Sequence, residues 1–369
     1  MCPIRGCQCF VGGVSKMRFS HHLNLSIPYC LTEIGKPRTI ESMYSYQKIA
    51  DSRPKEQIVF PSLIQNQFSH WMSDLPEKLW DIGLCNLAIP GSHDSMSYCL
   101  DLNSPVTPSD KFLNYLDHII PCITRPEIYR WCTTQESNVT QQLEEGIRFF
   151  DLRIAHKPND TTENLHFVHG IYTTITVQDA FKKIRDWLET HPKEVVILAC
   201  RFFEGMNDQQ HHQLIQKIEN IFGSKLCLKT SAEQVTLRKL WKLGCQVILS
   251  YDDNIAEENP KLWPGIPYWW ADTYKPKSLV QYLETQKQKG RPDGFFVAGM
   301  NLTEDWWYIV THLHSSLKKL TFSNYPYLRK WIIKQTAGPG KCCLNIIAGD
   351  FIQDGDLVPA VLDLNRKLI

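Results

Sequence analysis

Short apolar runs alternate with amphipathic segments from Trp71 to the end of the chain, and this alternation constrains the fold more than any other feature. Residues 195–200 (VVILAC) contain no polar side chain. A run of that kind is typical of a strand covered on both faces, and therefore of a parallel sheet wrapped by helices. Eight runs are predicted to be strands: 84–90, 148–154, 165–169, 194–201, 245–251, 268–272, 295–301 and 343–349.

Helices are predicted between these runs because apolar residues recur about every 3.6 positions. Residues 177–191, 208–222 and 357–368 show this spacing, and Pro192 and Gly223 follow the first two segments, as expected where helices end. Roughly eight strands that alternate with helices predict an α/β fold, in the form of a (β/α) barrel rather than an open sheet.

Residues 1–65 lack this periodicity, and their apolar runs are short. We predict that they form a poorly ordered N-terminal extension, with a short regulatory or targeting arm as the alternative. Residues 66–369 are predicted to form the barrel domain.

Composition limits the classes of partner and compartment. The net charge is +1, so no global field attracts nucleic acid, and an anionic substrate needs a local cluster of basic residues. Neither a transmembrane run nor the apolar core of a signal peptide is visible, which predicts a soluble, cytoplasmic protein. The thirteen cysteines, most of them within apolar runs, are expected to be reduced thiols without a catalytic role.

Polar side chains end several predicted strands. His93 and Asp94 follow the first run, Asp151 and Arg153 lie at the end of the second, and His169 ends the third. Because the active residues of a barrel lie at the C-terminal ends of its strands, these five are expected to share one pocket. Histidine exchanges protons near neutral pH, and arginine holds an anionic phosphate in a planar fork. The combination indicates acid–base chemistry on a phosphodiester.

Five ordered segments carry a family resemblance: 89–95 (IPGSHDS), 146–153 (GIRFFDLR), 166–170 (HFVHG), 195–201 (VVILACR) and 347–352 (IAGDFI). Through them the chain resembles the phosphatidylinositol-specific phospholipase C X domain family, from about residue 70 to its end. The resemblance implies a distorted TIM barrel. It also implies a phosphoric diester hydrolase that cleaves phosphatidylinositol-type lipids to diacylglycerol through a cyclic inositol phosphate.

The resemblance implies a role for each residue that matches a motif. His93 would be the general base and His169 the general acid. Asp350 would orient His93, Asp94 would support His169, and Arg153 would bind the phosphoryl oxygens. We expect the carboxylate beside each imidazole to fix its tautomer and to raise its pKa.

Four further residues are expected to bind substrate by the same resemblance. Asp151 lies near the phosphoryl-binding arginine, and Arg201 matches a position that carries a basic residue beside the phosphate. Asp272 and Tyr274 match, more weakly, a segment that contacts inositol in bacterial members.

One departure from the large eukaryotic members bears on metal binding. Those enzymes hold calcium with an Asn directly after the first histidine and an acid at the position of Arg153, whereas this chain has Asp94 and Arg153. A guanidinium cannot ligate a cation, and its charge can replace that of the cation. We therefore predict neither a metal ion nor another cofactor.

Two other functions stay open at this point. The barrel could bind an inositol lipid and turn it over poorly, or it could be a metal-dependent glycerophosphodiester phosphodiesterase. Transient contact with a membrane surface is a further hypothesis, because aromatic residues lie near predicted strand ends and tryptophan favours the bilayer interface. The aromatic residues concerned are Trp263, Tyr268, Trp269, Trp270, Trp306, Trp307 and Tyr308. The head group and the oligomeric state do not follow from the sequence.

Overall fold

Parallel strands wound into a barrel form the centre of the computed structural model, which describes residues 68–109, 111–312 and 314–369. The predicted extension, 1–65, lies outside these residues. The strands are β1 (Ile89–Ser92), β2 (Phe149–Ala155), β3 (His166–His169), β4 (Ile171–Thr176), β5 (Val196–Glu204), β6 (Val247–Tyr251), β7 (Leu262–Trp263), β8 (Tyr268–Trp269), β9 (Val297–Gly299) and β10 (Ile346–Gly349). The helices are α1 (Lys111–Ile119), α2 (Pro121–Cys132), α3 (Val139–Glu144), α4 (Val177–Thr190), α5 (Asp208–Phe222), α6 (Leu237–Leu243), α7 (Pro276–Lys289), α8 (Trp306–Thr311), α9 (Leu317–Ile332) and α10 (Leu357–Asn365).

Eight strands form the curved sheet in the order β7–β6–β5–β2–β1–β10–β9–β8, and every neighbouring pair in that order is parallel. In the part of the chain that the structure describes, no strand pairing joins β7 to β8. Hydrogen bonding therefore leaves the barrel open between these two short strands. The predicted α/β class and the distorted TIM barrel are confirmed.

The predicted strand at 165–169 is wrong as a member of the barrel. It corresponds to β3, which pairs antiparallel with β2 and with β4. Gly170, with φ of +71°, turns the chain straight back into β4, so there is no room for the crossover helix that a parallel neighbour needs. The missing barrel strand is β7, which has two residues and too little length to show a pattern.

Side chains alternate between the inside and the outside of the barrel wall. On β2, Phe150, Leu152 and Ile154 point outward and pack with Phe181 and Ile184 of α4. Helix α4 begins at Val177, where the Thr176 side chain accepts a hydrogen bond from the backbone of Asp179, and it ends at Thr190. The predicted helices 177–191, 208–222 and 357–368 thus correspond to α4, α5 and α10, the last followed by a short 3-10 turn.

A fully buried ion pair holds the N-terminal ends of β2 and β5 together. The Arg148 guanidinium donates to Glu194 Oε2 through Nε at 3.0 Å and Nη2 at 2.8 Å. It also donates to the backbone carbonyls of Leu143, Ile147 and Ser69. Such a pair is tolerated in a core because every donor of the guanidinium has a partner.

None of the helices among the described residues is both long enough and apolar enough to cross a lipid bilayer.

Candidate active site

The inner face of the barrel changes from apolar to polar along its strands. Since alternate residues share a face, four of the strands carry apolar inward residues towards their N-terminal ends and a polar side chain at or just beyond their C-terminal ends. The inward residues are Ile89, Gly91 and His93 on β1; Phe149, Asp151 and Arg153 on β2; Ile197, Ala199 and Arg201 on β5; and Ile346, Ala348 and Asp350 on β10. The strand spacing therefore brings these polar side chains to one end of the barrel.

Gly91 is required by the packing under the site. A Cβ atom at this position would lie 2.8 Å from Phe149 Cδ1, a contact that real Cβ atoms almost never make. The glycine lets Phe149 fill the barrel directly below His93.

His93 is buried and contacts three charged groups. Its Nδ1 lies 2.8 Å from Asp350 Oδ1. Its Nε2 lies 2.9 Å from Arg153 Nη2 and 3.2 Å from Asp94 Oδ2. A neutral imidazole with its proton on Nδ1 donates to Asp350 and accepts from Arg153, whereas a protonated one donates to both aspartates. Each protonation state of His93 therefore has hydrogen-bond partners in place.

His169 faces His93 across the carboxylate of Asp94. The two ring centroids are 6.2 Å apart. His169 Nδ1 lies 2.7 Å from the carbonyl oxygen of Cys132, which can only accept, so Nδ1 carries a proton and Nε2 is left to exchange one. That Nε2 lies 3.2 Å from Asp94 Oδ2, the same oxygen that contacts His93.

Arg153 lies among these groups with a fifth of its side chain exposed. Its Nε is 2.6 Å from Asp94 Oδ1, and its Nη2 is 3.5 Å from Asp151 Oδ2. A cleft adjoins Asp94, Arg153 and His169, and His93 is not among the residues that line it. The guanidinium and the Nε2 atoms of both imidazoles nevertheless meet at the Asp94 carboxylate.

The two histidines differ in proton affinity. Burial alone lowers the pKa of His93, but the carboxylates of Asp94 and Asp350 outweigh the loss of hydration and raise its pKa above the ordinary value. For His169, burial outweighs the attraction of Asp94, and Arg153 adds to the decrease, so its pKa is lowered. The expectation that both pKa values are raised is therefore wrong for His169, because the loss of hydration on burial outweighs the effect of the Asp94 carboxylate.

The carboxyl groups around the pair are also perturbed. Burial raises the pKa of Asp350, which brings its proton affinity closer to that of the imidazole it contacts. Burial also acts to raise the pKa of Asp151, but the charges of Arg153 and Arg201 outweigh it and hold this pKa below the ordinary value. Asp151 therefore stays ionised and accepts the backbone N–H of Asp94 at 3.3 Å.

Arg201, Tyr268 and Asn301 form the wall beside His93. The Arg201 guanidinium carbon lies 5.8 Å from the centre of the Tyr268 ring, and that ring lies 6.2 Å from the His93 ring. Tyr268 donates from its hydroxyl to Asn301 Oδ1 at 3.0 Å. Asn301 Nδ2 is buried, and no hydrogen-bond partner for it occurs in the described structure, so this donor is available to a bound molecule. The sequence drew attention to Tyr268 only as an aromatic residue.

Asp272 and Tyr274 are not brought into this cluster by any direct contact. Within the described ranges, neither forms a hydrogen bond or ion pair with His93, His169 or Arg153. Asp272 is exposed and has φ of +47°, and Tyr274 packs against Tyr308 with 4.7 Å between ring centroids. They lie in the connection after β8, and their predicted substrate contact stays a prediction.

Gln135, which the sequence analysis missed, links the ends of β1 and β10 through side-chain hydrogen bonds. Its Nε2 donates to the carbonyls of His93 and Gly349 at 2.9 Å each, and its Oε1 accepts from Ile352 N–H at 3.3 Å. It lies three residues after Cys132, whose carbonyl orients His169. This short segment after α2 thus holds the ends of β1 and β10 and the second histidine. No local pattern in the sequence marks such long-range bonds.

Glu304 is a second residue that the sequence analysis missed. It lies between β9 and α8, and burial raises the pKa of its carboxyl to about 8, with a further contribution from the charge of Asp350. The interaction of its charge with those of Asp350 and His93 indicates that it lies near this end of the barrel.

His93, Asp94 and Asp151 lie close enough together to be considered as metal ligands. Each offers one ligand atom, and the three atoms lie within 4.8 Å of one another. However, Arg153 contacts all three residues, and its positive charge would repel a divalent cation at the centre of the group. The donor set does not fit calcium, and the absence of a metal stays a prediction.

Two of the aromatic residues that were considered for membrane contact lie in the core. Trp263 and Trp269 are only 5% and 7% exposed. Membrane contact was predicted for only some of these aromatic residues, and these two pack in the core instead, because the barrel wall covers their rings. Trp270 and Trp307 are 37% and 74% exposed and remain candidates.

Comparisons with known sequences and structures agree on one family. A family model described as phosphatidylinositol-specific phospholipase C, X domain, matches residues 128–252. The chain is 49% identical over 307 residues to PI-PLC X domain-containing protein 1 of Homo sapiens, with 83% of this chain and 94% of the relative covered. It is 38% identical over 308 residues to PI-PLC X domain-containing protein 3 of Danio rerio, with 82% and 94% covered.

The fold is similar to those of two bacterial phosphatidylinositol-specific phospholipases C. The protein from Listeria monocytogenes superposes with a TM-score of 0.57 at 21% identity, covering 81% of this chain and 98% of that one. A variant from Staphylococcus aureus gives 0.56 at 16% identity, covering 81% and 96%. These two likenesses concern the fold, whereas the relatives above share sequence over most of their length. The chain belongs to the phosphatidylinositol-specific phospholipase C X domain family.

Proposed function

We propose that this protein is a phosphoric diester hydrolase that cleaves phosphatidylinositol or a related inositol lipid. The observation that carries the proposal is the contact of two imidazoles with one carboxylate. His93 Nε2 and His169 Nε2 each lie 3.2 Å from Asp94 Oδ2, and the Arg153 guanidinium lies beside them. A base, an acid and a fixed positive charge around one carboxylate are the groups that transfer of a phosphodiester needs.

In the first step, the 2-hydroxyl of the inositol ring attacks phosphorus. His93 Nε2 takes the hydroxyl proton, and His169 Nε2 gives a proton to the glycerol oxygen that leaves. The products are diacylglycerol and a cyclic inositol phosphate. Since the nucleophile belongs to the substrate, the step is intramolecular and avoids most of the entropic cost of bringing two molecules together.

The pKa shifts of the free protein favour a protonated His93 and a neutral His169, so contacts made by the reacting complex must supply the opposite states. Arg153 Nη2 donates to His93 Nε2, and this bond forms only when that nitrogen is unprotonated. Because an opposite charge favours the charged form of a base, the phosphodiester anion would raise the lowered pKa of His169 and protonate it. In a second step, water opens the cyclic phosphate, with the roles of the two histidines exchanged.

The predicted substrate contacts are part of the same proposal. Arg153 would hold the phosphoryl oxygens, and Asp151 and Arg201 would keep its orientation and the local charge. Asp272 and Tyr274 would meet the ring from the connection after β8.

The proposal is tested by incubating the full chain with phosphatidylinositol vesicles and separating lipid from water-soluble products. We expect diacylglycerol and a cyclic inositol phosphate to appear together, at the same rate with and without EDTA. Tight binding without product would favour the alternative of a weakly active lipid-binding barrel. Activity that EDTA abolishes would favour a metal-dependent phosphodiesterase.

Asp350→Asn is expected to move the alkaline side of the pH–rate profile to lower pH. The higher of the two histidine pKa values governs that side, and it belongs to His93, which the Asp350 carboxylate helps to raise. Asparagine can still accept the Nδ1 proton, so the charge is removed while the orientation is kept. The acid side, which follows His169, should not move. Asp354→Asn, at a partly exposed pair with Lys318, is the matched control, and an unshifted profile in Asp350→Asn would contradict the assigned pair.

Docking on a membrane surface is part of the proposal, with Trp307 as its main contact. Trp307 is 74% exposed on α8, which follows the C-terminal end of β9 and so lies at the end of the barrel that holds the histidines. Trp307→Ala is expected to weaken sedimentation with anionic vesicles and to lower turnover of vesicles but not of a soluble short-chain substrate. Leu243→Ala, 71% exposed just before β6 at the opposite end, should change neither. Equal vesicle binding by the two variants would refute the docking surface.

A further inference from the structure

A bulge interrupts strand β5 near its C-terminal end. Ile154 of β2 pairs with Phe202. The next residue of β2, Ala155, pairs with Glu204, and Phe203 is skipped in this register. Phe202 and Phe203 have φ of +78° and +51°, in the left-handed region that residues other than glycine rarely adopt. Bulges and strained residues of this kind are frequent beside active sites, where they redirect a side chain.

The bulge exchanges the places of the two phenylalanine rings. Since side chains alternate along a strand, Phe202 would otherwise point outward, as its neighbour Ile154 does. Phe203 takes the outward place instead. It is buried, and its ring centroid lies 4.5 Å from that of Tyr251 and 4.9 Å from that of His211. Phe202 is thereby kept out of the core, and 45% of the residue is exposed.

The Phe202 ring lies against the guanidinium of Arg153. The guanidinium carbon is over the ring, 5.1 Å from its centre, which is within the distance at which a cation is attracted to an aromatic face. The other contacts of the guanidinium are made along its edge, by Nε with Asp94 and by Nη2 with His93 and Asp151. Among the described residues Nη1 has no hydrogen bond, so this nitrogen is the donor that remains for a phosphoryl oxygen.

We propose that Phe202 is a positioning residue for Arg153, whose ring supports one face of the guanidinium and so directs Nη1 towards the substrate phosphate. Contacts at Nε and Nη2 leave the guanidinium free to tilt about the line that joins these two atoms, and Nη1 lies off that line. A ring against the face limits this tilt. The inference rests on the proposed function, because that function assigns the phosphoryl oxygens to Arg153.

Phe202→Gly separates this role from a structural one. Glycine adopts a positive φ without strain, and relief of strain offsets the greater freedom of the unfolded chain, so the thermal midpoint should stay close to that of the wild type. The kcat on phosphatidylinositol vesicles should nevertheless fall by about threefold to tenfold, the size expected for loss of a cation–π contact. The KM should change little, because the guanidinium fork matters most when charge develops on phosphorus.

Two further variants test whether the ring acts through the guanidinium. Phe202→Tyr keeps the aromatic face and should keep the wild-type kcat, whereas Phe202→Leu should lose as much as Phe202→Gly. In an Arg153→Ala background, Phe202→Leu should cause no further loss of the residual turnover. Tyr327→Leu replaces a ring on α9 that is 42% exposed, and this matched control should behave like the wild type.

A direct measurement of the contact does not depend on turnover. In the full chain labelled with ¹⁵N-arginine, the Arg153 Nε–H resonance, assigned by its absence in Arg153→Lys, should shift in Phe202→Leu, which has no ring current, and should stay in place in Phe202→Tyr. An unchanged resonance or a wild-type kcat in Phe202→Leu, or additive losses in the double variant, would overturn the inference. No turnover by the wild type would contradict the proposed function instead, and the resonance would still report whether the ring holds the guanidinium.

Discussion

Changing either His93 or His169 to alanine should lower the turnover of phosphatidylinositol by at least about a hundredfold, the lower end of what general acid–base catalysis contributes. His93→Ala removes the only side chain that contacts Asp350, Arg153 and Asp94 together among the residues described. His169→Ala removes the nitrogen that lies 3.2 Å from Asp94 Oδ2, on a side chain that is 25% exposed. The measurement is the initial rate on phosphatidylinositol vesicles with matched protein concentrations.

The same strand supplies a matched control for His169. His166 lies three residues earlier, and its Nδ1 donates to the Thr173 carbonyl at 2.9 Å, away from the catalytic pair. His166→Ala should keep activity within a few-fold of the wild type. If His169→Ala retains wild-type turnover while the protein stays folded, the assignment of the general acid is wrong. A leaving group with a low pKa should partly rescue His169→Ala but not His93→Ala, since only the acid step becomes easier.

Arg153→Lys should lower kcat by about a hundredfold to a thousandfold, the loss seen when a fixed donor to transition-state charge is removed. The guanidinium reaches Asp94 through Nε and His93 through Nη2 at the same time. A lysine ammonium is a single point of charge and cannot make both contacts in that geometry. The effect should fall on kcat more than on KM, because the planar fork matters most when charge develops on phosphorus.

Tests with EDTA and calcium distinguish a direct role of Arg153 at the phosphate from a purely structural one. The wild type should lose no activity in EDTA. Adding calcium to Arg153→Ala should not restore activity if the arginine acts through its own fork. Arg185→Lys, at an exposed pair with Asp186, should behave like the wild type. Wild-type kcat in Arg153→Lys, or loss of wild-type activity in EDTA, would contradict the assigned role.

The fold was predictable because its signal is local. Continuous apolar runs such as 195–200 mark strands covered on both faces, and the 3.6-residue spacing of 177–191 marks the helix packed on them. The errors occurred where the local signal was short or ambiguous. Strand β7 has two residues, and β3 has the same apolar pattern as a barrel strand although Gly170 turns it into a hairpin.

The candidate site was predictable in part. The chemical types at the ends of β1, β2 and β10 pointed to His93, Arg153 and Asp350, and the structure brings Arg153 and Asp350 within hydrogen-bond distance of His93. Gln135 and Glu304 were missed because neither has a local pattern of its own. Their relevance depends on contacts or charges from elements that are far away in the sequence.

The order of residue types along the chain determined the class of fold and the kind of chemistry, since both depend on which side chains stand at which positions of a strand or helix. Only the tertiary structure decided how the charges are shared. Asp94 contacts two imidazoles and a guanidinium at once, and His93 contacts Asp350, which lies 257 positions later in the chain. Burial and shared contacts of this kind set the opposite pKa shifts of the two histidines and hide Trp263 and Trp269 in the core. They arise only when distant segments pack, so no local pattern records them.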